Sequence, residues 1–308
     1  MPADVETRRG LVYGASAYLL WGLFPLYWPL LEPAGPLEIL AHRIVWSLIF
    51  VAVVLACTTG FGGVRRLLAT PRQRNPLMLA AVVITVNWGV YIWGVNSHHV
   101  VETSLGYFVN PLFTILLGVF VLGERLRRAQ WAAVGIATVA IAVISVDYGR
   151  PPWIALTLAT SFALYGFLKK RASAGALDSM AVETGTLLIP ALVTLTVIAA
   201  QGNMAFASVS VGNTLLLAGT GVVTAIPLLF FAAATTRLPL SVIGLLQYLA
   251  PVLQFSVGVG IRHEKLPPAE WVGFGLVWIA LIVLTVDGIR SQRAGSGLVA
   301  EPALAAGQ

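Results

Sequence analysis

Apolar residues run along this chain in ten long stretches, at roughly 10–31, 37–57, 76–97, 101–122, 129–147, 151–169, 179–200, 212–234, 240–261 and 269–288. An α-helix needs about 20 predominantly apolar residues to cross a bilayer core, and most of these stretches comply. The linkers between them are short, the longest running from Thr58 to Asn75 with Gly60, Gly62, Gly63, four arginines and Pro71. They leave no room for a soluble domain. The first stretch, from Leu11 to Leu31, is longer than the apolar region of a secretory signal, about 7–15 residues, and reads as a retained span. The pattern predicts an all-α integral membrane protein with ten transmembrane helices.

The pattern also occurs twice. Residues 105–147 and 245–287 align without a gap, and 13 of the 43 aligned positions are identical. Pro251 and Pro111, Glu264 and Glu124, Trp271 and Trp131, Gly275 and Gly135, and Asp287 and Asp147 all differ by 140. Self-similarity at a fixed offset marks a duplicated architecture. It divides the chain into a first five-helix repeat (1–149), a second (150–290) and an Ala/Gly-rich tail (291–308) expected to be disordered.

Charge fixes the expected orientation. With the N-terminus in the cytoplasm, the inner segments hold Arg8, Arg9, Arg65, Arg66, Arg72, Arg74, Arg125, Arg127, Arg128, Lys169, Lys170, Arg171, Arg237, Arg290 and Arg293, which is 15 of the 19 Lys and Arg. The outer segments hold Arg150, Arg262 and Lys265, and Arg43 lies within a span. Positive residues favour the cytoplasmic side, so both termini are expected inside. Five spans per repeat is an odd number, so the two repeats enter the membrane from opposite sides, giving two inverted five-helix repeats as in many secondary transporters.

Composition narrows the class further. Of 308 residues 58% are hydrophobic and 10% charged, against about 25% charged in soluble domains. The net charge of +6 sits in loops beside apolar runs and reads as an orientation signal, with the lipid bilayer and not nucleic acid as the partner. Cys57 is the single cysteine, which excludes an intramolecular disulfide and a cysteine metal site. His98-His99, without a nearby Asp or Cys, is too little for a metal, and no cofactor is expected. No Gly-x-x-x-x-Gly-Lys-Ser/Thr is present to bind ATP, so a coupling proton or a counter-substrate is left as the energy source.

Ionisable groups inside a span cost about 2.5–3.5 kcal/mol on insertion scales and need a reason. The second span carries Glu38, His42, Arg43, Trp46 and Ser47 on about half its circumference, opposite Leu40, Val45, Leu48 and Ile49. Arg43 is a candidate anchor for the anionic or polar end of a small-molecule substrate; the alternatives are a structural ion pair with Glu38 or Glu183, or outward snorkelling. The fourth span carries a stripe of Glu102, Gly106, Tyr107, Asn110, Thr114 and Gly118, with Leu105, Val109 and Leu112 opposite. The ninth repeats the stripe with Gly244, Gln247, Pro251, Gln254 and Gly258. These stripes either line one central cavity or pack helices together. Pro111 and Pro251 each remove a helix hydrogen bond and are candidate gating points. Trp21 on the first span and Tyr91 on the third, beside Asn87, are aromatic candidates for substrate contact, although aromatics at helical spacing more often pack or form the interfacial belt. Glu38, Glu102 and Glu183 are candidates for a coupling or charge-partner role, and Glu124 and Glu264 read as hinge or cap residues.

Several segments resemble a known family: Ala17-Tyr18-Leu19-Leu20-Trp21-Gly22, the run Glu38 to Ser47, Asn87-Trp88, the run Val95 to Pro111, Gly123-Glu124-Arg125, Ala233 to Leu238, and Gln247-Tyr248. On these the chain resembles EamA-type transporters of the drug/metabolite transporter superfamily, and within them the RarD subgroup of chloramphenicol-sensitive proteins and permeases. The likeness extends from Arg9 to Arg290. It implies ten helices in two inverted repeats that alternate access to a central site, in a bacterial inner membrane. The second hinge departs from the pattern, because Ile261-Arg262-His263 precedes Glu264 where a glycine is common. A secondary transporter, in the exporting direction, is the leading reading. A non-transporting receptor or assembly factor, and an intramembrane enzyme, are the alternatives. The second lacks a soluble sensor domain, and the third lacks Gly-x-Ser-x-Gly and His-Glu-x-x-His motifs.

Overall fold

The computed structural model describes residues 2–122, 126–235, 237–238, 242–243 and 246–300, with side chains for all of these except 2–4, 122, 170, 232, 235, 289 and 291–300. The described residues are helical and contain no strand. In chain order the helices are α1 (Pro2–Gly22), α2 (Phe24–Tyr27) with a 3-10 turn Trp28–Leu31, α3 (Pro36–Cys57), α4 (Gly62–Ala69), α5 (Pro71–Asn96), α6 (Val100–Leu122), α7 (Arg128–Tyr148), α8 (Trp153–Ala172), α9 (Ala176–Ala200), α10 (Val211–Thr235), α11 (Leu249–Gly260) and α12 (Pro268–Ala300). Among the described residues seven helices are long and apolar enough to cross a membrane: α3, α5, α6, α7, α9, α10 and α12; α8 and α11 add shorter apolar stretches.

Local sequence explains several boundaries. Proline, whose missing N–H costs nothing in a first turn, opens α3, α5 and α12. Gly149, left-handed at φ 63, closes α7. The first span is not one straight rod: α1 ends at Gly22, and Pro25 and Pro29 break the rest into α2 and the 3-10 turn. The Thr58–Asn75 linker, read as a loop, contains α4. This helix is too short to register as a span, but Val64 and Leu67, three apart on one face, dock on Leu77, Ala172 and Val182. At the other end α12 runs to Ala300, past the boundary expected at 290; residues 301–308, and the Gly123-Glu124-Arg125 hinge, lie outside the described residues.

The helices pair in a pattern that repeats itself. α5 and α6 both pack on α8, while α10 and α11 both pack on α1; α3 packs on α10 and α5 on α9; α3 meets α9, α6 meets α11 and α7 meets α12. The offset of 140 carries α1, α3, α5, α6 and α7 onto α8, α9, α10, α11 and α12, and it carries each of these pairings onto another or onto itself. Close approach depends on small residues, because lipid gives helices no hydrophobic reason to associate. A Cβ at Gly221 of α10 would overlap the Trp46 carbonyl of α3, and one at Gly106 of α6 would come 2.9 Å from the Ala155 carbonyl oxygen of α8. Large side chains such as Phe120, Val146, Ile189 and Val211 are strongly exposed and form the lipid-facing surface. Both faces of α6 are covered near its start: Leu105, Val109 and Leu112 are buried like Glu102, Gly106 and Asn110, because α8 and α11 pack on it from two sides. Leu40, opposite Arg43's face on α3 where a lipid contact is the simplest expectation, is likewise buried, packed toward α5 at Gly89.

Candidate functional site

The polar face of α3 is buried and splits into two arms. On the first, Glu38 accepts hydrogen bonds from the backbone N–H of Ala205 (2.9 Å) and Phe206 (2.9 Å), tying the start of α3 to the segment before α10. One turn on, His42 Nδ1 accepts from Trp46 Nε1 (3.3 Å), so its proton is on Nε2, which lies 3.9 Å from Glu38 Oε1. The His42 ring stacks on Phe206 with centroids 4.5 Å apart. Glu38, His42 and Trp46 thus form a line with i, i+4 spacing that faces the second half of the chain.

Arg43 forms the other arm and is 3% exposed. Its Nε donates to Thr224 Oγ1 of α10 at 2.8 Å. Its guanidinium carbon lies 3.9, 5.2 and 5.8 Å from the ring centroids of Trp88, Trp28 and Phe24. Tyr107 and Tyr91 are the titratable groups within electrostatic reach of it. Among the described residues no carboxylate forms an ion pair with Arg43. A desolvated cation over an aromatic face gains about 2 kcal/mol or more, so the rings offset part of the cost of burial. They do not fill its hydrogen bonds: Arg43 Nη1, Trp28 Nε1 and Tyr91 Oη are all buried without a partner. Unpaired buried donors are rare in native structures and need a reason.

The surrounding frame is hydrogen-bonded. Tyr107 Oη donates to Asn87 Oδ1 (3.1 Å), and Asn87 Nδ2 donates to the Leu158 carbonyl (3.0 Å) and Ser161 Oγ (3.0 Å). This joins α6, α5 and α8 in one buried network. Tyr91 and Tyr107 meet edge to face at 5.6 Å. The structure therefore brings Arg43, Tyr91 and Tyr107 together. Asn110, one turn further along α6, has a buried Oδ1 without a partner. Trp21 packs at the edge of the same apolar cluster, where its ring meets Tyr18 and Phe231, and its carbonyl accepts from Gln254. Gln247 lies half-buried in the turn before α11, and Gly244 lies outside the described residues.

The three acidic candidates are committed elsewhere. Glu102 pairs with Arg150 (3.0 Å) and accepts from the Ile154 N–H, which holds the Arg150 guanidinium above its usual pKa. Glu183 pairs with Lys169 (2.6 Å) and accepts from Tyr165 Oη (3.0 Å), while Lys169 also reaches Ser179. Neither Glu38 nor Glu183 is the counter-ion of Arg43. Nor does Arg43 snorkel: it is enclosed by rings. The two prolines differ. Pro111 lies well inside α6 and removes the N–H that would bond the Tyr107 carbonyl, whereas Pro251 lies in the first turn of α11, where no such bond is lost.

The sequence signature of the EamA-like transporter family matches residues 8–146 and again 151–286. The chain belongs to this family. Among relatives of the EamA-like chain, a protein named RarD from Streptomyces exfoliatus is 57% identical over 95% of this chain and 93% of its own length. A protein named RarD from Escherichia coli strain K12 is 40% identical over 94% and 97%. A solved crystal structure has the same fold, with a TM-score of 0.58 at 19% identity over 90% of this chain and 97% of that one. This EamA-like protein is thus a multi-pass membrane protein with the hallmarks of a transporter.

Sequence reasoning missed four parts of the candidate site: Trp88, Trp28, Phe24 and Thr224. Trp88 stood in the quoted Asn87-Trp88 pair, but nothing aimed it at Arg43. Trp28 and Phe24 lie past the break in the first span, where helical spacing no longer predicts direction. Thr224 had no local signal, because only the crossing of α3 by α10 puts it there.

Proposed function

We propose that this chain is a secondary active transporter that exports a small organic solute across the bacterial inner membrane. It alternates access between two inverted five-helix repeats, with both termini in the cytoplasm. The paired helix contacts, the offset of 140 and the two family matches support the repeat; the split of positive residues supports the orientation.

Arg43 carries the reading of the site. An always-charged group, buried in a span with no acidic partner, has an unpaired Nη1 beside two other unpaired donors. A solute with a carboxylate or another acceptor-rich end would complete all three, and Asn110 would take a donor of the same solute. Tyr91 and Tyr107 form the wall, with His42 and Trp46 on the flanking arm. Trp21 and Gln247 belong to the surfaces that move when the site opens, and Pro111 is the bending point, with Pro251 at the start of α11 gating less. The drive is a proton or a counter-substrate, for which the Lys169–Glu183 pair is the relay; Glu38 and Glu102 hold the two halves in register.

The test has two stages. Metabolites released by cells with and without the gene are compared without bias, and those that differ are then followed in liposomes containing the purified protein. Gradient-dependent flux that falls in Arg43→Ala is the expected result. Liposomes that carry no flux of any solute identified in the first stage would refute transport.

A further inference from the structure

A second polar cavity lies away from Arg43, at the end of the bundle where α6, α8 and α12 begin. Its volume is about 450 Å³, and its lining includes His99, Glu102, Arg150, Arg262, Glu264 and Lys265. By formal charge the acids and bases of this cavity look balanced, but the acids are already occupied. Glu102 is held by Arg150 and the Ile154 N–H. Glu264 accepts from the N–H of Val100 (2.7 Å) and Val101 (2.8 Å), so it caps α6 from the far side of the repeat. Glu270, also in the lining, is buried.

Two of the groups left over are cationic. Arg262 Nε and His99 Nδ1 are buried without a hydrogen-bond partner, and Lys265 is exposed and forms no ion pair among the described residues. Capping by Glu264 also means that the start of α6 is satisfied and is not the attracting feature. We propose that this cavity binds a small oxyanion, the carboxylate or phosphate group of an anionic molecule, through Arg262 and Lys265 with His99 as a further contact. Guanidinium groups hold such oxygens in charge-assisted hydrogen bonds, and an ammonium adds a point charge. The site involves none of the residues around Arg43, so it stands or falls independently of the transport reading.

The experiment uses the full chain purified in zwitterionic detergent. Binding of radiolabelled inorganic phosphate is measured by equilibrium dialysis, and binding of fluorescent phosphatidylglycerol in a parallel arm. Saturable binding is expected in at least one arm. It should weaken about tenfold or more in Arg262→Gln, less in Lys265→Gln, and not at all in Arg290→Gln, which is exposed and away from the cavity. Phosphate binding that citrate displaces identifies a soluble anion; Arg262-dependent binding confined to the lipid arm identifies a headgroup. Either supports the oxyanion site. Absence of saturable binding in both arms overturns the proposal. So does binding equally tight in Lys265→Gln and in the Arg262→Gln/Lys265→Gln pair, provided their thermal unfolding matches the parent.

Discussion

The guanidinium carbon of Arg43 lies 3.9 Å from the centre of the Trp88 ring, and among the described residues no carboxylate forms an ion pair with it. The contact joins α3 to α5, while Thr224 joins α3 to α10. A positive charge that the protein itself leaves unneutralised has consequences for substitutions that an ion pair would not have.

In Arg43→Ala, flux per molecule should drop at least about tenfold, as expected when a charged hydrogen-bonding group of roughly 1.5–3 kcal/mol is lost. Arg43→Lys should keep part of the flux, since it preserves charge but not the planar fork. Neutralising Glu38 or Glu183 in the Arg43→Ala background should rescue neither flux nor membrane abundance. A rescue by either would mean that a counter-ion relationship exists in another state of the cycle.

Lys169 and Glu183 should behave in the opposite way. They form a close ion pair near the end of α8, with Glu183 almost fully enclosed. Removing one partner of a buried pair leaves an uncompensated charge and costs about 3–5 kcal/mol, whereas replacing both is often nearly neutral. Lys169→Met or Glu183→Gln alone should lower the unfolding temperature in detergent, and the double substitution should recover most of the loss. If the three variants unfold alike, the pair contributes nothing to stability.

Pro111 and Pro251 occupy equivalent places in the repeat but different places in their helices. Alanine at 111 restores an N–H to the Tyr107 carbonyl deep inside α6, which stiffens the helix beside the site. Pro111→Ala should therefore slow transport more than it changes abundance. Pro251→Ala, in the first turn of α11, should have the smaller effect on rate. Equal effects of the two would show that bending in α6 is not what limits the cycle.

Topology can be checked by labelling single cysteines in a Cys57-free background. Gly35 and Gly202 are exposed turn residues on one side, and Thr59 and Ser173 on the other. An impermeant reagent added to intact cells should label the first two and spare the second two. Ala34, next to Gly35, is a poor probe because it is buried. Labelling of all four from outside would remove the inverted arrangement.

Chain composition and pattern determined the class of this protein. Apolar runs of spanning length with few charges can only be satisfied in lipid, where helices supply their own backbone hydrogen bonds. The offset of 140 made the duplication legible, and the rarity of charge in a span singled out Arg43, Glu102 and Glu183. Partners were another matter. Which group each carboxylate meets is set by how the helices pack: Glu102 with Arg150, Glu183 with Lys169, and Glu264 with the backbone N–H groups at the start of α6, more than 160 residues away. The aromatic enclosure of Arg43 draws on the first span and α5 together, with Trp28 lying past the break in the first span. Periodicity along one helix tells which residues share a face; only packing, set by small residues such as Gly221 and Gly106, decides what that face meets.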